Sequence, residues 1–248
     1  MSGVLVEICL DDLAGVRVAE DAGADRIELC SALSDGGLTP SIGTVATALR
    51  SVARMGVNVL VRQRAGDFVF DADELAAMVA DIHAVRALPN PQGVVVGFVV
   101  GALRPDGSVD VDATRALVAA CGDAPVTFHK AFDQVPDRAA ALEELVGLGV
   151  ARVLTAGGAA STLKGADELA ALVAQAGERI VVLAGGGVRP ANVAELVGRT
   201  GLREVHLRAA TTGRSGSLVS SQYDPGHRQV TSGAIVAAVV AAVREAAA

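Results

Sequence analysis

Residues 23–30 read Gly23-Ala24-Asp25-Arg26-Ile27-Glu28-Leu29-Cys30, a glycine followed by a short run in which polar and apolar residues alternate. A glycine four positions before a β-branched residue returns at residues 149–153 and again at residues 201–205. Glycine readily adopts the left-handed conformation that ends many helices, and β-branched residues favour strands. The repeat therefore indicates a junction between a helix and a strand that recurs along one chain.

Eight short segments have the composition of strands, and stretches with apolar residues at helical spacing separate them. The predicted strands are residues 4–8, 26–29, 57–62, 94–99, 126–129, 152–155, 180–184 and 204–207. Ser41, Asp71 and Asp137 stand where helix N-caps are expected, and Glu74 resembles the second half of a capping box. Such alternation gives either a closed barrel or an open doubly wound sheet. Both are α/β folds. The count of eight units favours the closed barrel, a (β/α)8 barrel of the TIM type, and so does the absence of an early glycine-rich motif for binding a dinucleotide.

Length and composition narrow the classes of protein to which the chain can belong. Its 248 residues suit one compact barrel, so we expect a single domain over residues 1–248. A net charge of −7 and an aromatic content of 2% disfavour nucleic-acid binding, which needs cations and stacking platforms. The longest apolar stretches are too short to cross a bilayer, and the amino terminus shows no signal peptide. Cys9, Cys30 and Cys121 then indicate reduced thiols in the cytoplasm.

Alternation within the first two strands separates a polar face from an apolar one. Glu7 and Cys9 share one face of the first strand, and Glu28 and Cys30 share one face of the second. We expect the apolar faces to meet the helices and the polar faces to point into the barrel. Placed at matched heights on neighbouring strands, Cys9 and Cys30 would form a soft site for copper(I) or zinc. Two buried cysteines that only pack are the alternative interpretation.

The same alternation brings acid–base groups toward the mouth of the barrel. It turns His129 of the fifth strand and His206 of the eighth inward, where each could exchange a proton near neutral pH. Together with Glu7 and Glu28 they form the predicted catalytic set of a small-molecule enzyme. Five charged side chains are expected in the lumen, namely Glu7, Glu28, Arg62, Glu204 and Arg208. An ion-pair network that only fills the barrel is the competing interpretation.

Glycines and arginines that follow the strands are typical of an anion site. Gly185, Gly186 and Gly187 follow the seventh strand, in a region where barrels often bind phosphate through backbone N–H groups. Arg62 and Arg64 begin the loop after the third strand and could clamp a carboxylate or a phosphate. A tight turn at the glycines and a solvated arginine loop are the alternatives. These residues predict a small phosphorylated or carboxylated ligand.

Several of these motifs occur together in one known family. The segments concerned are Glu7-Ile8-Cys9, Ala24-Asp25-Arg26-Ile27-Glu28-Leu29-Cys30, Gly36-Gly37-Leu38-Thr39-Pro40-Ser41, Val126-Thr127-Phe128-His129-Lys130-Ala131-Phe132-Asp133, Arg152-Val153-Leu154-Thr155 and Glu204-Val205-His206. In order and spacing they resemble the CutC family of copper homeostasis proteins over nearly the whole chain. The resemblance implies a TIM-type barrel, a cytoplasmic location, a homodimer, and copper(I) bound by Cys9 and Cys30 near the barrel mouth.

The chain departs from the family pattern at positions that affect the expected ligand. Arg208 stands where small polar residues are usual, and Lys130 replaces a usual arginine. A further cation in the lumen favours an anionic ligand over a metal cation. Two hypotheses therefore stand side by side. One is a copper homeostasis protein that binds copper(I) through Cys9 and Cys30, and the other is an enzyme for a phosphorylated or carboxylated small molecule.

Overall fold

Eight parallel strands close into a barrel in the computed structural model, which describes residues 3–219, 221–222 and 224–246. The strands are β1 (Leu5–Leu10), β2 (Arg26–Leu29), β3 (Gly56–Leu60), β4 (Val96–Val100), β5 (Val126–Phe128), β6 (Arg152–Thr155), β7 (Val181–Gly185) and β8 (Glu204–Leu207). Each strand pairs with the next one along the chain, and β8 returns to pair with β1. The predicted (β/α)8 barrel of the TIM type is confirmed.

A helix follows each strand and lies on the outside of the barrel. The helices are α1 (Leu13–Asp21), α2 (Ile42–Ser51), α3 (Ala72–Arg86), α4 (Val111–Cys121), α5 (Arg138–Gly147), α6 (Ala166–Ala176), α7 (Val193–Thr200) and α8 (Gly233–Ala246). Apolar side chains between the strands and the helices form the main core, in which Ile8, Ile27 and Val205 are fully buried. Within the described ranges, no helix combines the length and the apolar character that a bilayer span requires.

Three helices begin at the residues that the sequence predicts as caps. Ser41, Asp71 and Asp137 each accept a hydrogen bond from the backbone N–H three residues later, at the starts of α2, α3 and α5. The Glu74 side chain in turn accepts a hydrogen bond from the backbone N–H of Asp71, which completes the predicted capping box. The glycines of the repeat have positive φ angles of 92°, 76° and 69° at Gly23, Gly149 and Gly201. The predicted junctions between helix and strand are confirmed at these positions.

A two-stranded antiparallel hairpin separates β8 from α8. It consists of β9 (Ala210–Arg214) and β10 (His227–Thr231). Its sequence is polar and lacks a long alternating pattern, so the strand signals do not predict it. The Thr231 hydroxyl donates to Oδ1 of Asp12 over 2.7 Å, which ties the hairpin to the residue before α1.

The ends of the strands differ from the predicted ones by at most two residues. The pairing of β1 with β2 also differs from the expected one. The first strand continues through Cys9, whereas the third stops before Arg62. Cys9 lies opposite Glu28 in the ladder, so Cys30 lies two positions further along the chain, one residue past the end of β2. The expected placement of Cys9 and Cys30 at matched heights is therefore wrong. A barrel of tilted strands closes only if neighbouring strands are staggered, and the residue pattern does not show that stagger.

Candidate functional site

A cavity of about 180 Å³ opens at the C-terminal mouth of the barrel. Its lining residues are Cys9, Glu28, Cys30, Leu33, Gly36, Leu60, Arg62, Phe68, His129, Lys130, Leu154 and His206. Six of the predicted site residues are among them, namely Cys9, Glu28, Cys30, Arg62, His129 and His206. In barrels of this type the working site lies at this end of the strands, so the position itself favours a functional cavity.

Buried polar side chains form a closed network beside this cavity. Arg26 is bonded to both Glu7 and Glu204, and Arg152 donates to Glu204 over 2.9 Å. Asn58 donates to Glu7 over 2.9 Å. Burial opposes the ionisation of Glu7, but the charge of Arg26 and further hydrogen bonds lower the pKa of Glu7 to about 2. The carboxylates of this network are paired inside the barrel, as the ion-pair interpretation expects.

The imidazole of His206 joins this network to the cavity. Its Nδ1 atom lies 2.7 Å from Oε1 of Glu7 and 3.5 Å from Oε2 of Glu28. Burial opposes the protonation of His206, but Cys9 and the two carboxylates raise its pKa well above the usual value. Burial also raises the pKa of Glu28 to about 7, against the pull of the neighbouring imidazole. Glu28 therefore carries an exchangeable proton near neutral pH at the wall of the cavity.

Cys9 and Cys30 reach the same cavity from neighbouring strands. The Sγ atom of Cys30 lies 3.7 Å from Oε1 of Glu28, to which the thiol donates. Burial and the charge of Glu28 raise the pKa of Cys30 well above its usual value, so Cys30 is a thiol in the absence of a bound cation. Cys9 is half-buried and Cys30 is buried. The third cysteine, Cys121, packs in the outer core at the end of α4.

Arg62 and His129 form another part of the cavity wall. The guanidinium of Arg62 donates to the carbonyl oxygens of Gly37 and Gly66 over 3.0 and 2.8 Å. It also lies over the ring of Phe68, with Cζ 4.8 Å from the ring centroid. The imidazole of His129 contacts the same ring at a centroid distance of 4.8 Å. Burial and the charge of Arg62 lower the pKa of His129 to about 3, so this imidazole is neutral at physiological pH.

Two arginines of the expected anion site lie outside the cavity lining. Arg64 pairs with Asp67 and Glu74 over 3.0 and 2.5 Å, which anchors the loop before α3. Arg208 lies 3.4 Å from Asp11 in a separate recess beside the hairpin. The expected place of Arg208 in the central lumen is wrong, because β8 ends one residue earlier and the chain turns toward the hairpin.

The glycine turn after β7 faces a lysine. The ammonium group of Lys130 donates to the carbonyl oxygen of Gly185 over 3.0 Å and pairs with Asp133 over 2.6 Å. Gly186 and Gly187 have φ angles of 124° and 78°, which favour glycine. The turn requires these glycines for its backbone conformation, and anion binding by their N–H groups stays a prediction.

The sequence alone does not identify Arg26 and Arg152 as the arginines that pair with the buried carboxylates of the network. Arg26 lies two positions before Glu28 on β2, and Arg152 lies two positions before Leu154 on β6. Each arginine is therefore on the same strand face as a residue that lines the cavity. Alternation was therefore a signal that both arginines point inward. It does not show which carboxylate each one reaches, because that depends on the register between strands and across the barrel.

Two sets of ligand atoms at the mouth suit different metal ions. Among the described residues, Glu7, Glu28 and His206 place one ligand atom each within 4.8 Å of one another. Both oxygens of Glu7 already hold protein partners, so a cation would have to displace them. Cys9 and Cys30 line the same cavity, and each could offer one sulfur ligand. Sulfur ligands fit the soft ion copper(I), whereas the carboxylate–imidazole set fits a harder divalent ion.

Comparison with known proteins assigns the chain to a family. The CutC family model matches residues 4–211. The chain is 51% identical over 203 residues to a family protein CutC of Caulobacter vibrioides, covering 82% of this chain and 80% of that protein. It is 43% identical over 215 residues to the copper homeostasis protein cutC homolog of Homo sapiens, covering 87% and 77% of the two chains.

The solved structures agree with this assignment. The CutC protein of Streptococcus agalactiae has a TM-score of 0.75 at 30% identity and covers 82% of this chain and 98% of its own. Phosphoribosylanthranilate isomerase of Thermotoga maritima has a TM-score of 0.55 at 10% identity, over 98% of this chain and 99% of its own. At 10% identity, the similarity to this isomerase shows only that the two chains share a fold. By the family model and the closely similar relatives, the chain belongs to the CutC family.

Proposed function

We propose that this protein is a copper homeostasis protein that binds copper(I) at the C-terminal mouth of its barrel, with Cys9 and Cys30 as thiolate ligands. The observation that carries the proposal is that both thiols line one cavity, although Cys9 lies on β1 and Cys30 directly follows β2. Thiolates are the soft ligands that select copper(I). A human relative from the same family is named a copper homeostasis protein cutC homolog, which supports copper as the ion.

Glu28 is placed to accept the proton that copper(I) displaces. It lies opposite Cys9 in the ladder and accepts the hydrogen bond of the Cys30 thiol. Because Cys30 is protonated before a metal arrives, binding must release its proton. A carboxylate whose pKa is about 7 accepts that proton near neutral pH. The affinity for copper(I) should therefore fall as the pH is lowered.

A competition titration under anaerobic conditions tests the proposal. Copper(I) is divided between the protein and the chelator bicinchoninate, whose coloured copper(I) complex reports the free fraction. We expect Cys9→Ser and Cys30→Ser each to weaken copper(I) binding by about a hundredfold or more, since even partners outside the ligand set cost about 10–100-fold. Cys121→Ser is the matched control, because it removes a thiol that packs away from the cavity.

Two outcomes of this titration would overturn the proposal. The first is unchanged copper(I) binding in the Cys9→Ser, Cys30→Ser double variant. The second is an equal loss in all three single variants, which would show that any removed thiol perturbs the protein. Near-ultraviolet absorption of the copper(I)–thiolate bond, measured on the same samples, should disappear together with binding in the double variant.

We also infer from membership of the family that the protein works as a cytoplasmic homodimer. Sedimentation velocity of the full chain tests the dimer, and fractionation of the native cells tests the location. A single species with the mass of one 24.9 kDa chain at micromolar concentration would contradict the dimer.

A further inference from the structure

Two hydrogen-bond donors in the wall of the cavity have no partner. The Nε atom of Arg62 and the Nε2 atom of His129 are both buried, and neither has an acceptor among the described residues. The two side chains are only 6% and 5% exposed, and both line the cavity. A buried donor without an acceptor costs about 1–3 kcal/mol, so native proteins rarely leave two of them unpaired in the wall of one cavity.

Arg62 carries a positive charge that no carboxylate neutralises in the described part of the chain. Its terminal nitrogens donate to the carbonyl oxygens of Asp35, Gly37 and Gly66, which are neutral acceptors. Arg64, two residues later, pairs with two carboxylates instead. A buried cation requires an opposite charge nearby. Asp67 acts on Arg62 only from a distance and is paired with Arg64, so an anion bound in the cavity would supply a direct counter-charge.

His129 offers a donor to the same ligand. Its Nδ1 atom accepts the backbone N–H of Ala131 over 3.2 Å, which assigns the ring proton to Nε2. The imidazole is neutral, so Nε2–H donates and does not accept. Arg62 and His129 both contact the ring of Phe68, and both side chains line the same cavity. A ligand that accepts from both must present oxygen atoms and a negative charge.

We propose that Arg62 and His129 form a subsite for a small carboxylate or phosphate anion in the cavity that also contains Cys9 and Cys30. Such an anion supplies acceptor oxygens to both donors and neutralises the guanidinium. The cavity volume of about 180 Å³ limits the ligand to a small molecule. The proposal does not depend on copper, because neither donor belongs to the thiol pair.

The test uses the full chain without copper and three probes: acetate, succinate and inorganic phosphate. Each is titrated against sodium chloride at the same ionic strength, which removes the effect of general screening. The readouts are the Nε2–H signal of His129 in protein labelled with 15N-histidine and the affinity from calorimetry. We expect at least one probe to shift that signal saturably. Saturation by acetate or succinate assigns a carboxylate, and saturation by phosphate alone assigns a phosphate.

Variants separate the proposed subsite from general anion binding. Arg62→Met and His129→Asn should each weaken the bound probe about tenfold or more. Arg115→Met is the matched control and should leave the affinity unchanged, because Arg115 forms an exposed pair on α4 and lies outside the cavity lining. Asparagine at position 129 keeps an acceptor for the backbone N–H of Ala131 but removes the far ring nitrogen, so this variant is expected to fold.

The proposal is overturned if no probe shifts the His129 signal, or if Arg115→Met weakens binding as much as Arg62→Met. The Cys9→Ser, Cys30→Ser double variant should still bind the anion. A protein that binds the anion but not copper(I) would refute only the proposed function, and the reverse result would refute only this subsite.

Discussion

Arg26 lies between two buried carboxylates and forms ion pairs with both Glu7 and Glu204. A buried ion pair adds little net stability compared with well-packed apolar side chains. Removal of one partner is different, because it leaves the other charge buried without compensation. The network of the barrel interior therefore depends on this single guanidinium more than on any one of its hydrogen bonds.

Replacing Arg26 by methionine should lower the free energy of unfolding by about 3–5 kcal/mol, because Glu7 loses its main counter-charge and Glu204 keeps only Arg152. Urea unfolding followed by circular dichroism measures the change. Arg115→Met is the control, since Arg115 forms an exposed pair with Asp112 and should matter by less than about 1 kcal/mol. Similar losses in the two variants would contradict the importance assigned to Arg26.

The neutral state of His129 predicts a dependence of stability on pH. Its pKa is about 3 in the folded protein and 6.5 for the free group, so between these values the unfolded chain binds a proton that the folded protein does not. Stability is therefore lost as the pH falls from 6.5, with His129 contributing up to about 1.4 kcal/mol per pH unit. Urea unfolding of His129→Asn between pH 7 and pH 5 should show a shallower loss than the wild type. Parallel curves for the two proteins would contradict a buried neutral imidazole.

Alternation along the strands was enough to place several residues of the site. It predicts the inward position of Glu28, Cys30 and His206, and all three line the cavity. Alternation holds even at Cys30, one residue past the end of β2, but it fails at Arg208, one residue past the end of β8. There the chain turns toward the hairpin and Arg208 pairs with Asp11, and alternation carries no information about either.

At the scale of elements, one side chain of α1 organises the turn that leads into β3. Oε1 of Glu20 accepts the backbone N–H groups of Ala53, Arg54 and Met55 over 3.1, 2.8 and 2.9 Å. These hydrogen bonds hold the carboxylate ionised and lower its pKa against the effect of burial. The contact fixes where the third strand begins, and hence where Arg62 emerges after it.

Glu20→Ala should lower the free energy of unfolding by about 2 kcal/mol or more, because three backbone donors lose their acceptor. Hydrogen exchange of the amides at Ala53, Arg54 and Met55 should speed up relative to amides elsewhere. Asp21→Ala is the neighbouring control, since Asp21 is exposed and should change stability little. Unchanged exchange at these three amides in Glu20→Ala would contradict this role.

The sequence predicts the elements better than their relative placement. Helix starts follow from local chemistry, and the caps at Ser41, Asp71 and Asp137 are confirmed. The offset between Cys9 and Cys30 follows from the stagger of the closed barrel, which no single strand encodes. The hairpin of β9 and β10 is likewise invisible to strand patterns, because its residues are polar and mostly exposed.

At the scale of the whole molecule, closure of the barrel creates the site. Glu7 and His206 are 199 positions apart in the chain, yet they form a hydrogen bond because β8 returns to β1. The same closure gathers the thiols, Glu28 and the Arg62–His129 wall around one cavity. Copper(I) and a small anion would then occupy adjoining parts of one site.

Anomalous diffraction at the copper absorption edge, on crystals of the anaerobic copper(I)-loaded protein, tests the central proposal most directly. We expect one strong peak inside the mouth cavity, within bonding distance of the Sγ atoms of both Cys9 and Cys30. A peak held only by Glu7, Glu28 and His206, or one outside the mouth with both thiols free of metal, would contradict it.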